Sequence, residues 1–170
     1  MKILYLLMSF LLCGCVRLPA GIEPVQNFDL QRYLGIWYEI ARLDHSFERG
    51  LSRVTAEYSL LENGSVRVIN RGYDQVKDRW KTAEGKARFV QSSGTGYLQV
   101  SFFGPFYGSY VIMELDQNDY QYALVCGPNK KYLWLLARRP DLDAATRNML
   151  IDRARDLGFA VDELIFVHHS

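Results

Sequence analysis

The sequence predicts an all-β domain: an eight-stranded antiparallel up-and-down β-barrel with one C-terminal α-helix packed on its outside and a short final strand. Short runs with strand-like alternation follow one another from residue 34, and turn signals separate them. The composition is also rich in aromatic residues, with eleven Tyr and nine Phe. Aromatic residues favour strands, and many short strands separated by turns are typical of a sandwich or a barrel.

Apolar and polar residues alternate along the predicted strands. The pattern is clearest over 53–61, where every second residue is apolar, as a strand with one buried face requires. Asn63 and Gly64 follow, and they suit the positive φ of a hairpin turn. The eight strands are predicted at 36–43, 53–61, 66–73, 79–90, 97–103, 106–115, 120–126 and 131–138.

Two glycines mark special positions in these strands. Gly35 permits a tight turn or a close backbone approach just before Trp37, at the start of the first strand. Along that strand, residues 37, 39, 41 and 43 are expected on one face, and residues 38, 40 and 42 on the other. Gly85 falls inside the fourth strand, where we expect the kind of bend or bulge that barrel closure needs.

One helix is predicted after the strands, over 142–157. Asp141 or Asp143 can cap its first turn, and Gly158 lies where a C-terminal cap belongs. A final strand is predicted over 161–167. Eight consecutive antiparallel strands leave two exposed edges, and closing the sheet on itself removes both.

The first residues are predicted to be a targeting signal. Lys2 precedes an apolar run over 3–12 that is too short for a stable membrane span. The run ends in Leu12-Cys13-Gly14-Cys15, which resembles the bacterial lipobox, and this resemblance implies cleavage before Cys15 and its acylation. An ordinary secretory signal cleaved nearby is the alternative. The predicted organisation is a signal peptide over 1–14, a lipidated N-terminus and tether over 15–26, and one domain over 27–170.

Composition bounds the function. The net charge is +1 and no long run of Lys or Arg occurs, so no nucleic-acid partner is expected. Cys13 would leave with the signal and Cys15 would be acylated, so Cys126 has no partner for an intramolecular disulfide. Because no histidine or acid pattern accompanies it, Cys126 is expected to be a small buried apolar residue, with a catalytic thiol as the alternative.

Three motifs carry a resemblance to a known family. Gly35-Ile36-Trp37-Tyr38 resembles the first signature of the lipocalins, and the Glu39-Ile40-Ala41-Arg42 that follows is most similar to bacterial lipocalins. Asp116, four residues before Tyr120, resembles the second signature, with Leu115 in place of the usual Thr. Arg138 resembles the third. The resemblance implies that five residues close the barrel floor and do not contact ligand: Gly35, Trp37, Asp116, Tyr120 and Arg138.

In the family, the arginine of the third signature crosses the closed end of the barrel and stacks on the first-signature tryptophan. Such a contact is worth about 1–2 kcal/mol when it is desolvated. If Arg138 points inward, the register of the motifs places a set of mostly apolar and aromatic residues on the same face, as a lipid pocket requires. The alternative is that these side chains simply fill the barrel. The expected ligand-binding residues are Ala56, Tyr58, Val68, Asn70, Val100, Phe102, Tyr110, Ile112, Tyr132 and Trp134.

Catalytic constellations are scarce. The sequence contains no serine elbow, no His-Glu metal motif and no phosphate loop, so we expect no catalytic residue, metal or cofactor. Glu39 and Glu114 are candidates for inward-facing carboxyl groups. Acid–base catalysis by one of them on a hydrophobic substrate is the alternative from another class of function.

The function that the resemblance implies is lipid binding without catalysis. It describes a lipocalin anchored to the outer membrane and facing the periplasm, which holds or transports fatty acids or lysophospholipids and serves membrane maintenance under stress. Val16 after the acylated cysteine favours the outer membrane by the family's sorting rule. Loops over 44–51 and 103–109 would gate entry. The sequence leaves open a homodimer, and also a structural lipoprotein without ligand.

Overall fold

The computed structural model describes residues 16–170, so the predicted signal peptide over 1–14 and the acylation site Cys15 lie outside the described residues. This part of the chain contains two α-helices, α1 (Leu30–Tyr33) and α2 (Ala144–Asp156), and a 3-10 helix at Val161–Glu163. Its nine strands are β1 (Gly35–Arg42), β2 (Leu51–Leu60), β3 (Val66–Asp74), β4 (Arg79–Phe89), β5 (Tyr97–Phe103), β6 (Phe106–Leu115), β7 (Tyr122–Cys126), β8 (Leu133–Ala137) and β9 (Ile165–Phe166).

Eight of these strands form a closed antiparallel barrel. Neighbours in the chain pair from β2 through β8, and β1 completes the ring by pairing with both β8 and β2. The short strand β9 adds to β1 outside the ring. Because consecutive strands are neighbours throughout, the barrel is of the up-and-down type. The predicted fold class is therefore confirmed, including the helix after the barrel and the short last strand.

Two apolar cores lie on the two sides of the barrel wall. The inner core includes Trp37 and Val68, and the outer core joins wall residues to Leu150 and Ala154 of α2. Cys126 is fully buried in the outer core, where burial raises the pKa of its thiol to about 12. The late strands are apolar on both faces because one face meets the interior and the other meets the helix.

The helix ends follow side-chain caps. Asp143 caps α2 by accepting a hydrogen bond from a first-turn N–H at 2.9 Å, and the helix predicted over 142–157 is slightly shorter at both ends. Asp29 caps α1 in the same way, and this single turn was not predicted from the sequence. The strand predicted over 161–167 is reduced to β9, because its first residues form the 3-10 helix.

A β-bulge in β1 overturns the predicted faces of that strand. The pairing with β8 shifts register between Glu39 and Ala41, so the alternation changes side after this point. Ala41 joins the outer core, whereas Arg42 lies opposite Trp134, turns inward and is 1% exposed. The prediction that Arg42 faces away from Trp37 and Glu39 is therefore wrong.

A second bulge, in β6, has a similar effect. The pairing with β7 shifts register between Ile112 and Glu114, and Leu115 returns to the inner core. Glu114 lies on the outside of the barrel, where its carboxylate accepts a hydrogen bond from Arg153 of α2 at 2.6 Å. The prediction that Glu114 faces inward is wrong, since the bulge moves it to the helix-covered face.

Gly85 allows a close approach and not a bulge. It lies within the unbroken register of β3 and β4. A Cβ at this position would lie 2.7 Å from the backbone oxygen of Ser101 and 2.8 Å from the ring of Phe102. A side chain there would therefore force β5 away from β4, so glycine is required where these neighbouring strands lie this close together.

The segment over 16–26, expected as part of a tether, packs along the barrel. Ile22 is 4% exposed within the outer core. The N–H of Val25 donates to the carbonyl of Ile112 at 2.9 Å, and the hydroxyl of Ser109 donates to the carbonyl of Arg17 at 2.8 Å. The apolar residues between the prolines and glycine bury surface on the wall, which outweighs the flexibility that the sequence suggested.

The floor of the barrel is held by an arginine over an indole. The guanidinium carbon of Arg138 lies 4.0 Å from the ring centroid of Trp37, which is fully buried. The same guanidinium donates to the carbonyls of Ile36 at 3.0 Å, Arg32 at 2.6 Å and Tyr120 at 3.2 Å. Arg138 therefore joins α1, β1 and the turn before β7 at one point.

The turn between β6 and β7 completes this floor. The carboxylate of Asp116 accepts hydrogen bonds from the N–H groups of Asn118 at 3.1 Å and Gln121 at 3.2 Å. The turn brings Tyr120 under α1, where its hydroxyl accepts a hydrogen bond from the N–H of Asp29 at 3.0 Å. Gly35, at φ +96, adopts a conformation that favours glycine, and a Cβ there would lie 3.4 Å from the guanidinium of Arg138.

Replacing Arg138 by alanine tests this floor. The substitution removes the contact with the indole and leaves three backbone carbonyls without their donor. We expect Arg138→Ala to lower the free energy of unfolding by about 2–3 kcal/mol, measured by denaturant titration. The adjacent, exposed Arg139 is the matched control, and Arg139→Ala should change stability by less than about 0.5 kcal/mol. Equal effects of the two variants would contradict a special role for Arg138.

Candidate functional site

The barrel encloses a cavity that opens at one end. An inner chamber of about 90 Å³ lies above the floor, and a wider cavity of about 690 Å³ lies toward the mouth. Both spaces share lining side chains, so they lie next to each other within the barrel. The wider cavity falls within the range of about 300–1,000 Å³ that small-molecule sites occupy. The shared side chains are Glu48, Val54, Asn70, Val100, Phe102, Tyr110 and Trp134.

Most of the residues expected to bind ligand line this cavity. Tyr132 lines only the outer part, and Ile112 lines neither part. Ile112 does face inward, but it is fully buried in the inner core, with its backbone bonded to Gly96 at the closed end. Alternation along a strand gives the face of a residue but not its depth. The predicted ligand-binding residues that line the inner chamber are Ala56, Tyr58, Val68, Asn70, Val100, Phe102, Tyr110 and Trp134.

Three tyrosine hydroxyls meet at the bottom of the inner chamber. The hydroxyl of Tyr110 lies 2.8 Å from that of Tyr33 and 2.7 Å from that of Tyr58. Burial is the main reason why the pKa of each of the three is raised above its usual range. All three therefore stay neutral, and the chamber floor offers hydroxyl groups without charge.

A buried ion pair lies at one side of the chamber. The guanidinium of Arg42 donates to the carboxyl of Glu39 at 2.6 Å, and the two residues are 1% and 3% exposed. Arg42 also donates to the carbonyls of Glu48 at 2.9 Å and Leu51 at 3.2 Å. These bonds fix the loop between β1 and β2 against the barrel wall.

The second carboxyl of the cavity belongs to this loop. One oxygen of Glu48 lies 3.1 Å from Nε2 of His45 and accepts a hydrogen bond from the indole N–H of Trp134 at 3.1 Å. Both His45 and Glu48 are more than nine-tenths buried. The rings of His45 and Trp134 lie 5.2 Å apart at their centroids, edge to face.

The two carboxyl groups differ in their proton affinity. Burial, and then the charge of Glu48, raises the pKa of Glu39 well above its usual range, against the opposing effect of Arg42. Burial alone would also raise the pKa of Glu48, but the hydrogen bonds of His45 and Trp134 together with the His45 charge lower it below its usual range. The surroundings of the two carboxyl groups therefore shift their pKa values in opposite directions, up for Glu39 and down for Glu48.

Arg42, His45 and Glu48 were not predicted as site residues. The expected alternation places Arg42 on the face away from Trp37, and the segment over 44–51 is predicted only as a loop that gates entry. One signal was present: Arg42 is the single charge in the apolar run Ile40-Ala41-Arg42-Leu43. A charge in such a run is either at the surface or paired in the interior, and only the bulge decides between the two.

Aromatic side chains surround the mouth. Phe47, Phe103 and Phe106 are 66%, 74% and 64% exposed, and all three line the outer cavity. All three lie in the segments over 44–51 and 103–109 that the sequence predicts as a gate, but Phe103 and Phe106 are the paired ends of β5 and β6 and not loop residues. Exposed aromatic residues that converge on one opening are typical of an interaction site for apolar molecules.

These features define a class of protein. A closed eight-stranded barrel with a sealed floor, an apolar cavity and a single mouth is the architecture of a small-ligand-binding barrel. Among the described residues, no group of three or more His, Cys, Asp or Glu could hold a metal ion.

Comparison with known proteins identifies the family. A family model described as lipocalin-like domain matches residues 28–169. Outer membrane lipoprotein Blc of Vibrio cholerae is 54% identical over 168 residues, which cover 99% of this chain and 98% of that protein. Outer membrane lipoprotein Blc of Escherichia coli is 48% identical over 155 residues, which cover 91% and 87%. The chain belongs to the lipocalin family.

Solved structures agree on the fold. Insecticyanin from the tobacco hornworm Manduca sexta superposes with a TM-score of 0.71 at 20% identity, covering 90% of this chain and 87% of that one. The location follows from the closer sequence relatives: like them, the chain is placed at the outer membrane as a lipoprotein. Within residues 16–170, no helix is both long and apolar enough to cross a membrane.

The contribution of the buried pair of Arg42 and Glu39 to stability can be measured with substitutions of Glu39. Glu39→Leu removes the acceptor of a buried guanidinium, and we expect it to lower the free energy of unfolding by about 3 kcal/mol. Glu39→Gln keeps an acceptor oxygen and resembles the protonated acid, so its cost should stay below about 1 kcal/mol. Denaturant titration near neutral pH measures both.

Glu84 provides the control for these substitutions, because its pair with Arg67 is exposed. Glu84→Leu should cost less than about 1 kcal/mol. If Glu39→Gln proves as destabilising as Glu39→Leu, then Glu39 is ionised in the folded protein and its raised pKa is refuted.

Proposed function

We propose that the protein binds a single-chain lipid, a fatty acid or a lysophospholipid, with its acyl chain inside the barrel. The observation that carries this proposal is the pair of adjoining, mostly apolar spaces inside a barrel whose floor is closed by Arg138 and Trp37. Each CH₂ that leaves water contributes about 0.8 kcal/mol before the cost of immobilising the chain. The lining of aliphatic and aromatic side chains offers contacts along the whole length of such a chain.

Binding is favoured over the alternatives for two reasons. An enzyme would need a catalytic group with access to substrate, but Glu114 lies outside and Glu39 is engaged by Arg42. A structural lipoprotein would need a filled barrel, but the cavity has room for a ligand. Lipocalins are also known as a family of binding proteins, which supports a non-catalytic role.

The anchor places this cavity close to a membrane. In our proposal Cys15 is the acylated N-terminus, and it directly precedes the first described residues. The carbonyl of Arg17 accepts a hydrogen bond from Ser109, which lines the outer cavity near the mouth. Arg17, two residues after the proposed anchor, therefore lies at the mouth end of the barrel, where the rings of Phe103 and Phe106 are exposed.

From this arrangement we infer a role in lipid handling at the periplasmic side of the outer membrane. A lipid that leaves the bilayer could enter the cavity with little exposure of its chain to water, which suits maintenance of the membrane under stress. A homodimer joined through the exposed aromatic mouth would be compatible with the same role.

Filling the inner chamber tests the site of the acyl chain. Ala56→Trp places an indole where the chain end would lie, and exclusion of three or four CH₂ groups should weaken binding of palmitate or palmitoyl-lysophosphatidylethanolamine by about 30-fold or more. Isothermal titration calorimetry measures the change. Glu57→Trp, on the outer face of the same strand, is the matched control and should bind like the parent protein. Unchanged affinity in Ala56→Trp would place the lipid elsewhere.

Replacing the predicted acylation site tests the anchor. Cys15→Ser should move the protein from the membrane fraction to the soluble periplasmic fraction, because no acyl chains hold it at the bilayer. Cys13→Ser removes a thiol that leaves with the signal and should keep the protein in the membrane fraction. Membrane retention of Cys15→Ser at the level of the parent protein would refute acylation at this residue.

A further inference from the structure

The most exposed large apolar side chains lie at one end of the barrel. In an up-and-down barrel the connections alternate between the two ends, so those after β1, β3, β5 and β7 all lie at the mouth. Among the described residues, the large apolar side chains that are more than half exposed lie in or beside these connections. We call them the mouth rim: Phe47, Val76, Trp80, Phe103 and Phe106.

The mouth rim stands on three separate connections. Phe47 lies between β1 and β2, and Val76 is 92% exposed in the turn between β3 and β4. The third tip is the hairpin of β5 and β6, whose paired ends are Phe103 and Phe106. Three tips around one opening define a plane, so they suit a broad, flat partner. A patch of this kind on a soluble domain marks an interaction surface.

The two ends of the barrel also differ in charge. The connections at the floor, over 61–65, 90–96 and 116–121, contain three acids and no Lys or Arg. The connections at the mouth contain three acids and four bases, which are Arg49, Lys77, Lys130 and Lys131. The mouth is therefore the more basic end, and its charge is complementary to an anionic partner.

The acids of the mouth are engaged, whereas several of its bases are not. The partners of the three acids are Arg49 for Asp44, His45 for Glu48 and Tyr73 for Asp78. Within residues 16–170, the exposed side chains of Lys77, Arg79 and Lys131 form no ion pair. We call these three the rim cations. They flank the apolar tips and are available to a negatively charged surface.

The chain that leads to the proposed anchor begins at this same end. The hydroxyl of Ser109, which lines the outer cavity, donates to the carbonyl of Arg17 at 2.8 Å. Residue 15 is two positions further, a reach of at most about 7 Å for an extended chain. An acyl group at Cys15 therefore keeps the mouth, and not the floor, within reach of the bilayer.

We propose that the mouth rim and the rim cations form a surface that docks on an anionic lipid bilayer. The apolar tips enter the interface, and the cations contact the headgroups. This inference goes beyond the proposed function, because it concerns the outside of the barrel and holds whatever the cavity carries. Such docking is weak without acyl chains. It orients the anchored domain, and it does not retain Cys15→Ser protein through fractionation.

Sedimentation with sucrose-loaded vesicles tests the surface without the anchor. The protein over 16–170 contains every strand of the closed barrel and carries no acyl chain. We expect it to bind vesicles of phosphatidylcholine with about 30% phosphatidylglycerol roughly tenfold more strongly than vesicles of phosphatidylcholine alone. High salt should remove this preference. Absence of binding to the anionic vesicles would overturn the docking surface.

Two matched apolar substitutions assign the binding to one end of the barrel. Val76→Ser should weaken vesicle binding about fivefold, because an exposed apolar side chain no longer enters the interface. Leu60→Ser is the control, since Leu60 is also exposed but ends β2 at the floor. It should bind vesicles like the parent protein. Equal losses in the two variants would contradict docking through the mouth. Unchanged palmitate binding in both verifies that they fold.

The rim cations are tested in the same assay. Lys77→Gln combined with Arg79→Gln should remove most of the preference for anionic vesicles while binding to phosphatidylcholine stays unchanged. Lys86→Gln is the control, because Lys86 is exposed on the same strand as Arg79 but further toward the floor. A preference that survives the double substitution in full would show that these charges do not face the bilayer.

Trp80 reports directly on contact with lipid. Brominated phosphatidylcholine in the anionic vesicles should quench the fluorescence of the protein, and Trp80→Phe should lose most of this quenching while it still binds. Trp37 is fully buried and Trp134 lines the cavity, so neither follows docking of the rim. Quenching that persists unchanged in Trp80→Phe would refute insertion at this hairpin.

A second copy of the chain is the competing occupant of the rim. If Val76→Ser weakens self-association in sedimentation velocity but leaves vesicle binding unchanged, the rim is an interface between copies and the proposal fails. The proposed function is judged separately. A protein that docks on vesicles but binds no palmitate would refute lipid binding in the cavity and leave the docking surface in place.

Discussion

The contact between Arg138 and Trp37 is the constraint on which the rest of the barrel depends. This contact covers one end of the ring of strands, and three backbone carbonyls from α1, β1 and the turn before β7 converge there. One guanidinium bonds all three and covers the indole at 4.0 Å. Its planar group of five donors suits this task, which the point charge of a lysine could not perform.

The closed floor determines the surroundings of the polar groups in the inner chamber. The inner chamber above the floor is mostly apolar, and several of its polar groups hydrogen-bond to one another. The tyrosine hydroxyls do so as a chain, and Arg42 does so with Glu39 and the loop carbonyls. A buried ion pair is seldom more stable than apolar residues of the same volume.

The sequence correctly predicted the inward face of residues in strands where the alternation of faces continues without a bulge. Strands with an unbroken period of two gave Ala56, Tyr58 and Val68 their correct inward face, because alternation is set by strand geometry. The rule failed for Arg42 and Glu114, which follow bulges. A bulge is a property of the pairing between strands, so the sequence of one strand does not reveal it.

The position of a residue along the barrel axis could not be predicted from the sequence for a similar reason. Ile112 faces inward as expected, but it belongs to the floor because of what packs above and below it. The segment over 16–26 looked flexible because its prolines and glycine are local signals, whereas the surface that Ile22 covers belongs to strands far along the chain. In both cases the outcome depends on packing against distant parts of the chain, which local sequence preferences do not reveal.

The closed floor leaves the mouth as the route by which a ligand enters or leaves the barrel. Since the floor is closed, a lipid can enter or leave only past Phe47, Phe103 and Phe106. The chain leading to the proposed anchor lies at this same end, held through the bond between Ser109 and Arg17. Each CH₂ that crosses open water costs about 0.8 kcal/mol, so a mouth held close to the bilayer lowers the barrier to exchange.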